Sequence, residues 1–349
     1  MTSSDSTFAK KRDVKFDGLR VIGLLAIILA HVNPPALLFQ LRNFDVPLMV
    51  LVSGAVYGLS SSKKKYVSYI WGRVLRLLTP TWVFLIIFFL INFIIGHHFS
   101  RQDMLSSFLL LNGIGYVWII RVFILVAVIA PFFVYLYQKI QNKLWYLCVV
   151  GFICICYVGL YQIYRQFPVH ANALVDFIFQ NIIFYMLPFG CVAGLGIYML
   201  RASKKSLIRL FVLFATFFIF LSYTHQFVPT QNDKYPPGMY YLSYALGISL
   251  LLYLLSFTTV FQKVFGSRLM QFISASSLWI YLWQIFFLYQ WGYLKSFMPQ
   301  WFDTFFVEYV VIVVISTLVV YGQKRLIKGV VEKVQNKTIQ NVLSTSFLK

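Results

Sequence analysis

The chain has 349 residues, of which 60% are hydrophobic and only 11% are charged. Soluble domains of this size are far more polar, so the composition excludes a soluble enzyme and indicates a polytopic membrane protein. The formal net charge of +20 does not indicate nucleic-acid binding, because the basic residues stand in short clusters between apolar segments, where they face anionic lipid.

Ten apolar segments follow a polar, basic arm at residues 1–15. Each is close to the length that a bilayer core requires. They lie at residues 18–38, 43–60, 77–96, 116–137, 144–164, 176–200, 207–223, 239–260, 272–294 and 304–322.

The lysines and arginines are distributed between the loops in the way that sets membrane topology. Counted from the inside, 24 fall in inner segments, five fall in outer loops and Arg121 lies within a span. The five outer ones are Arg42, Arg101, Arg165, Lys234 and Lys295. By the positive-inside rule, this pattern predicts an all-α protein with about ten membrane-spanning helices and both termini in the cytoplasm. The expected parts are a cytoplasmic arm at 1–15, a membrane domain at 16–322 and a basic cytoplasmic tail at 323–349.

The first apolar segment carries two ionisable side chains, Arg20 and His31, and the residues between them are apolar or small. An α-helix brings residue i+11 back to within about 20° of residue i, and about 16 Å further along the axis. Arg20 and His31 therefore share one face, along which Gly23 and Ala30 leave space, and Asp17 can pair with Arg20 one turn earlier. A titratable base at membrane depth is expected to be functional, and histidine is a base near neutral pH.

Five motifs occur in order along the chain. They are Phe16-Asp17-Gly18-Leu19-Arg20 with ten residues to His31, Val46-Pro47-Leu48-Met49-Val50-Leu51-Val52-Ser53-Gly54, Arg73-Val74-Leu75-Arg76-Leu77 before Pro80, Val117-Trp118, and Ser277-Leu278-Trp279-Ile280-Tyr281-Leu282-Trp283. Together they resemble the acyltransferase-3 family of integral membrane O-acyltransferases over essentially the whole chain. Relatives commonly continue the last motif with histidine, whereas this chain has Gln284, which hydrogen-bonds but does not change charge.

The resemblance implies transfer of an acyl group, usually acetyl from acetyl-CoA, to a carbohydrate hydroxyl. Arg20, Arg73 and Arg76 are then expected to bind the phosphates of the cytoplasmic acyl-CoA, because guanidinium groups make multidentate phosphate contacts. His31 acts as the general base, or is itself acylated and relays the group. The residues expected to support them are Asp17, Ser53, Trp118, Arg121 and Gln284. Their expected roles are to pair with Arg20, to polarise the oxyanion or to seat the acceptor. Arg121 needs a partner at membrane depth, for which Asp45 and Glu308 are the candidates.

The sequence thus predicts a multi-pass plasma-membrane O-acyltransferase that uses acyl-CoA as co-substrate, needs no metal, contacts anionic lipid and acts on an extracytoplasmic glycan. It leaves open the acceptor, the choice between acetyl and succinyl or larger groups, and the choice between direct transfer and an acyl-histidine. The alternative is a transporter of polysaccharide or lipid-linked sugar, which often shows inverted repeats that are not evident here. An inactive scaffold is a third reading, because Gln284 replaces a histidine.

Overall fold

A computed structural model describes residues 13–60, 66–166, 172–297, 299 and 304–348. These residues form helices joined by turns and contain no strand. The helices are α1 (Val14–Leu29), α2 (Ala36–Leu41), α3 (Asp45–Ser60), α4 (Tyr66–Ile95), α5 (Arg101–Phe108), α6 (Trp118–Lys139), α7 (Lys143–Gln166), α8 (Ala173–Ile178), α9 (Phe184–Met199), α10 (Lys204–Thr224), α11 (Met239–Leu255), α12 (Thr259–Phe265), α13 (Arg268–Ala275), α14 (Ser277–Leu294), α15 (Phe305–Lys333) and α16 (Lys337–Leu343), with π-helical turns at Phe179–Ile183 and Ser344–Leu348 and 3-10 turns at Thr230–Asp233 and Lys295–Phe297.

Helices are the structure that apolar segments adopt in a bilayer, because each backbone polar group is then bonded within its own segment. Within the described ranges, seven helical stretches are long and apolar enough to cross a membrane, or nine if each of two bent pairs counts as one span. The prediction of an all-α, multi-pass membrane protein is therefore confirmed. Each predicted apolar segment contains a helix, but the number ten and the cytoplasmic position of the termini stay predictions.

The first helix ends before the predicted boundary at residue 38. It stops at Leu29, and His31 lies in the turn that follows, where its backbone N–H donates to the carbonyl of Ile28 at 3.0 Å. The cause is the sequence Asn33-Pro34-Pro35, because a proline disfavours helical backbone at the preceding residue. Asn33 adopts a left-handed φ of 47°. The predicted segment thus contains a helix followed by a turn.

The helix α4 begins at Tyr66, well before the predicted start at residue 77. Arg73 and Arg76 therefore lie within the helix rather than ahead of it. Their spacing places them near one face, but Arg73 is half-buried and Arg76 is exposed. The two arginines thus have different surroundings.

Small residues bring α3 against its neighbours at the centre of the bundle. A Cβ added at Gly54 would collide with the backbone of Ala193 in α9, and one added at Gly196 would collide with the carbonyl of Leu51. Such close helix crossings are typical of membrane proteins. On the other side, a Cβ at Gly23 of α1 would meet the side chain of Met49. Gly23 therefore admits α3 rather than leaving open space, contrary to the sequence-based expectation.

Short segments outside the long helices contact α1 or the turn after it at both ends. At its beginning it contacts α12 and α13, each of which is sharply bent from the next long helix, by 93° at the α11–α12 break and by 77° at the α13–α14 break. Beyond its other end, residues 36–45 meet the turn at residues 230–234, where Gln40 and Thr230 exchange hydrogen bonds of about 3.0 Å. These two ends hold the polar groups of the candidate site.

The last helix α15 continues to Lys333, past the predicted end at residue 322. The π-helical turn that follows α16 returns to the bundle, where Phe347 stacks on Trp279 at 5.0 Å between ring centroids. The indole N–H of Trp279 also donates to the carbonyl of Ser346 at 2.9 Å. The predicted tail is thus partly helical and packs against α14.

Candidate functional site

One face of α1, continued into the turn after it, lines three cavities in a row. Arg20, Leu24 and Ile27 line the first, of about 280 Å³. Ile27, Ala30 and His31 line the second, of about 110 Å³, and His31 also lines the third, of about 410 Å³. This spacing of three or four residues is that of a helix face. We call them the inner, middle and outer cavities, in the order that the predicted topology gives.

The inner cavity has two arginines on its wall, Arg20 and Arg73. Arg20 lies 3.8 Å from the buried carboxylate of Asp17, which also accepts a hydrogen bond of 2.6 Å from the hydroxyl of Ser274 in α13. Asp17 therefore holds Arg20 at the cavity and ties α1 to α13. Arg73 approaches the same space from α4.

The other predicted polar residues at this end divide between cavity and surface. Ser53 lines the inner cavity, and its hydroxyl donates to the carbonyl of Met49 in its own helix at 2.8 Å. Arg76 is exposed and is not among the residues that line the cavity. It lies one helical turn from Arg73, on the same helix.

The inner and middle cavities meet at three side chains, Ile27, Ile119 and Tyr281, which line both. Tyr281 is buried, and its hydroxyl donates to the backbone carbonyl of Tyr116 at 2.5 Å. The last of the five motifs thus supplies a fixed ring at the boundary. A substrate that passes from one cavity to the other must pass these three residues.

The middle cavity is bordered by a buried group of charges, Arg42, Asp45 and Lys234. Arg42 donates through Nη1 to Oδ2 of Asp45 at 2.8 Å, and Lys234 donates through Nζ to Oδ1 of Asp45 at 3.0 Å. Lys234 also donates to Oδ1 of Asn43 at 3.0 Å. Burial lowers the pKa of Lys234, an effect that the carboxylate of Asp45 opposes.

His31 lies between the middle and outer cavities, two residues beyond the end of α1. Its ring meets that of Tyr116 edge-on, at 4.5 Å between centroids, and its buried Nδ1 has no hydrogen-bond partner among the described residues. Gln284 is fully buried beside it, close enough to influence its protonation but outside hydrogen-bond geometry. The ring lines both cavities, so an unprotonated nitrogen of the imidazole can accept a proton from a substrate there.

The outer cavity combines aromatic rings with charged side chains. Its lining residues include Tyr116, Tyr289, Trp291, Lys295 and Glu308. Flat apolar faces next to hydrogen-bonding groups are the surface expected around a polar ring-shaped ligand. The cavity reaches from His31 to the end of the bundle that is predicted to lie outside.

Two predicted supporting residues occupy different positions. Trp118 lines the middle cavity, where its ring meets Tyr235 edge-on at 5.1 Å. Arg121 is absent from the linings of the three cavities, and it donates to Oδ1 of Asn181 at 2.8 Å. The expectation that Asp45 or Glu308 pairs with Arg121 is wrong. The guanidinium instead bonds an amide of the neighbouring π-helical turn, and Asp45 pairs with Arg42 and Lys234.

Sequence reasoning missed Arg42 and Lys234 as residues of the site. One signal for them was present, because they are two of the few basic residues on the outer side of a chain whose charges otherwise follow the positive-inside rule. No group of His, Cys, Asp and Glu suited to a metal ion is found in the part of the chain that the structure describes. The polar groups that line the cavities include basic side chains, hydroxyls, amides, the imidazole of His31 and the carboxylates of Asp45 and Glu308.

The comparisons with known proteins agree with the motifs. The sequence profile of the acyltransferase-3 family, described as an acyltransferase domain, matches residues 13–322. No curated protein and no solved structure matches the chain. The matched region contains α1, all five motifs and the residues of the three cavities. The chain therefore belongs to the acyltransferase-3 family and is a multi-pass membrane acyltransferase.

Proposed function

We propose that the protein moves an acyl group, acetyl in the simplest case, from cytoplasmic acyl-CoA to a hydroxyl of an extracytoplasmic polysaccharide or other cell-envelope glycan. The observation that carries the proposal is the row of three cavities, in which Ile27 is shared by the inner and middle ones and His31 by the middle and outer ones. A base at the junction of two substrate cavities can deprotonate one substrate beside the other. The plasma membrane is the site where these two substrates lie on opposite sides.

The inner cavity suits the donor. Arg20 and Arg73 line it, and guanidinium groups bind phosphate through paired hydrogen bonds. Arg76, exposed one turn from Arg73, is placed to contact a phosphate at the mouth. The pantetheine arm then follows Leu24 to Ile27, which carries the thioester toward His31.

The reaction is a proton transfer coupled to acyl transfer. The acceptor hydroxyl gives its proton to a ring nitrogen of His31 as its oxygen bonds to the thioester carbonyl carbon. The tetrahedral intermediate then expels the coenzyme A thiolate, which takes the proton from the imidazolium. The products are the O-acylated glycan and coenzyme A. In the relay variant a ring nitrogen of His31 bonds to the thioester carbonyl carbon, the C–S bond breaks and the thiolate takes the proton of the imidazole. The acceptor oxygen then bonds to the acyl carbon, the C–N bond breaks and the imidazole takes the hydroxyl proton.

The outer cavity suits a carbohydrate acceptor. Tyr116 and Tyr289 offer ring faces, and Glu308 and Lys295 offer polar groups near its rim. Aromatic faces pack against the apolar faces of sugar rings, and carboxylate and ammonium groups bond their hydroxyls. His31 at the end of this cavity then meets the hydroxyl that is acylated.

The test is equilibrium binding of coenzyme A and transfer of labelled acetyl with purified full-length protein in nanodiscs. Arg20→Ala and Arg73→Ala should each weaken binding by about 10- to 150-fold, which corresponds to about 1.5–3 kcal/mol for a lost charged hydrogen bond. The matched control is Arg209→Ala, an exposed arginine of α10 that lines none of the three cavities.

Two outcomes would contradict the proposal. If the wild-type protein does not bind coenzyme A, a donor site in the inner cavity is wrong, and uptake of a labelled glycan or lipid-linked sugar by proteoliposomes would point to a transporter. If Arg209→Ala weakens binding as much as Arg20→Ala does, the effect is that of general surface charge. Label that stays on the protein without an acceptor would select the acyl-histidine relay.

A further inference from the structure

The buried charges beside His31 lie at a contact between two segments that neutral hydrogen bonds also hold. Residues 36–45 and 230–234 are already held by neutral hydrogen bonds, in which the hydroxyl of Thr230 accepts from Gln40 at 3.0 Å and from Asn43 at 2.8 Å. Tyr244 adds a hydrogen bond of 2.8 Å to the carbonyl of Leu41. The charged group therefore lies at a contact that neutral hydrogen bonds help to hold together.

The charges in this group do not balance. Arg42 and Lys234 share the single carboxylate of Asp45, and all three are at most 4% exposed. A buried cation that is not matched by an anion costs free energy. His31 carries no negative charge in either protonation state, so two cations and one carboxylate border the middle cavity.

One cation has a hydrogen-bond donor to spare, and the other contributes its charge. The Nε of Arg42 is buried and has no partner among the described residues. The ammonium of Lys234 bonds Oδ1 of Asn43 and Oδ1 of Asp45 at 3.0 Å each, and Oδ2 of Asp45 at 3.4 Å. Both cations line the same small cavity as His31. Asp45, which also lines this cavity, and Asn43 hold the two cations in place, and cations fixed in this way are preorganised to bind a negative charge.

We propose that Arg42 and Lys234 stabilise the oxyanion that forms on the thioester carbonyl oxygen in the middle cavity. The inference rests on the proposed function, since it concerns the same reaction. When the acceptor oxygen bonds to the carbonyl carbon, the π-electron pair of the C=O bond moves to the oxygen. The negative charge on that oxygen balances the second cation of the buried group. When the tetrahedral intermediate collapses, the C=O bond re-forms and the C–S bond breaks.

The two cations could instead bind a permanent anionic group of the acceptor, but the position of the middle cavity favours the oxyanion. The cavity joins the inner one through Ile27, Ile119 and Tyr281, so it lies on the path of the donor. Its volume of about 110 Å³ suits an acyl group rather than a sugar, for which the outer cavity of about 410 Å³ has room. Asp45 is a positioning residue here, because it contacts the two cations rather than the substrate.

The test compares two analogues of acetyl-CoA on the full-length protein in nanodiscs. One is a thioether without a carbonyl. The other is a trifluoromethyl ketone, which adds water to form a tetrahedral diol that becomes an oxyanion when one hydroxyl gives its proton to a base. The wild type should bind the ketone at least about 100-fold more tightly than the thioether, as transition-state analogues are bound. Lys234→Met and Arg42→Met should each lower this ratio by about 100-fold, the usual effect of removing one oxyanion donor, and change thioether binding by less than about 2-fold.

Control variants separate the electrostatic effect from a folding effect. Lys234→Arg keeps the charge and should retain most of the preference for the ketone over the thioether. Lys205→Met removes an exposed lysine of α10 and should leave this preference unchanged. If Lys234→Met does not fold, as judged by its melting temperature, Lys234→Gln provides the same comparison with a side chain that still bonds Asp45.

Each result of this comparison either supports or overturns the role of Arg42 and Lys234. A lower ratio with intact thioether binding supports the assignment. An unchanged ratio, or equal loss of both analogues, would overturn it, and so would a wild type that binds the two analogues equally. Those results leave the donor site standing, whereas a wild type that binds neither analogue would overturn the proposed function and this inference together.

Discussion

The Nζ atom of Lys234 lies 3.0 Å from Oδ1 of Asp45, across 189 positions of the sequence. This buried ion pair joins the start of α3 to the turn before α11 and borders the cavity that His31 also lines. The charges of the outer segments and the imidazole of His31 therefore line one cavity.

Removal of the shared carboxylate should destabilise the protein. Asp45→Asn leaves Arg42 and Lys234 buried without an anion, which should lower the free energy of unfolding by about 3–5 kcal/mol. The measurement is chemical unfolding in detergent micelles. Asp103→Asn, an exposed carboxylate, is the control and should cost less than about 1 kcal/mol. Equal losses in the two variants would show that Asp45 is not an electrostatic anchor.

Replacement of His31 should abolish the chemistry and spare the donor site. His31→Gln keeps a polar side chain but removes the base, so kcat should fall by about 10²- to 10⁴-fold with coenzyme A binding unchanged. His225→Gln, an exposed histidine outside the cavities, should retain full transfer. Full activity in His31→Gln would remove this histidine from the mechanism.

The crossing of α3 and α9 should depend on the missing side chain of Gly54. Gly54→Ala places a Cβ against the backbone of Ala193 and should lower the melting temperature, because backbone cannot move aside as a flexible side chain can. Gly72→Ala in α4, where a Cβ would have nothing within 4 Å, is the matched control. Gly72→Ala should leave the free energy of unfolding unchanged or raise it by up to about 1 kcal/mol, since alanine is a better helix former than glycine. A Gly54→Ala variant as stable as Gly72→Ala would refute the close crossing.

Local geometry made part of the site predictable. The face that carries Arg20 and His31 follows from helix periodicity alone, and the spacing of Asp17 from Arg20 gives their ion pair. The end of α1 was also predictable from the sequence, because Pro34 disfavours a helical backbone at the residue before it. The early start of α4 was hidden, since arginines in the first turns of a membrane helix resemble a loop until their aliphatic stems are seen to lie along it.

Long-range relationships were not predictable from local pattern. No periodicity connects Lys234 to Asp45, and none places Gln284 beside His31. One clue lay in the charge distribution, because Arg42, Lys234 and Lys295 stand on the predicted outer side and all three line a cavity. Basic residues that break the positive-inside rule were thus informative about the site.

The final measurement is photolabelling of the full-length protein with an acyl-CoA whose acyl group carries a diazirine, followed by mass spectrometry of the adducts. If the donor reaches His31 through the inner cavity, adducts should lie on residues of the middle cavity, such as His31, Arg42, Trp118 and Lys234. They should disappear in Arg20→Ala and with excess coenzyme A. Adducts confined to the lipid-facing surface or to the outer cavity, or unchanged in Arg20→Ala, would contradict a donor path along α1.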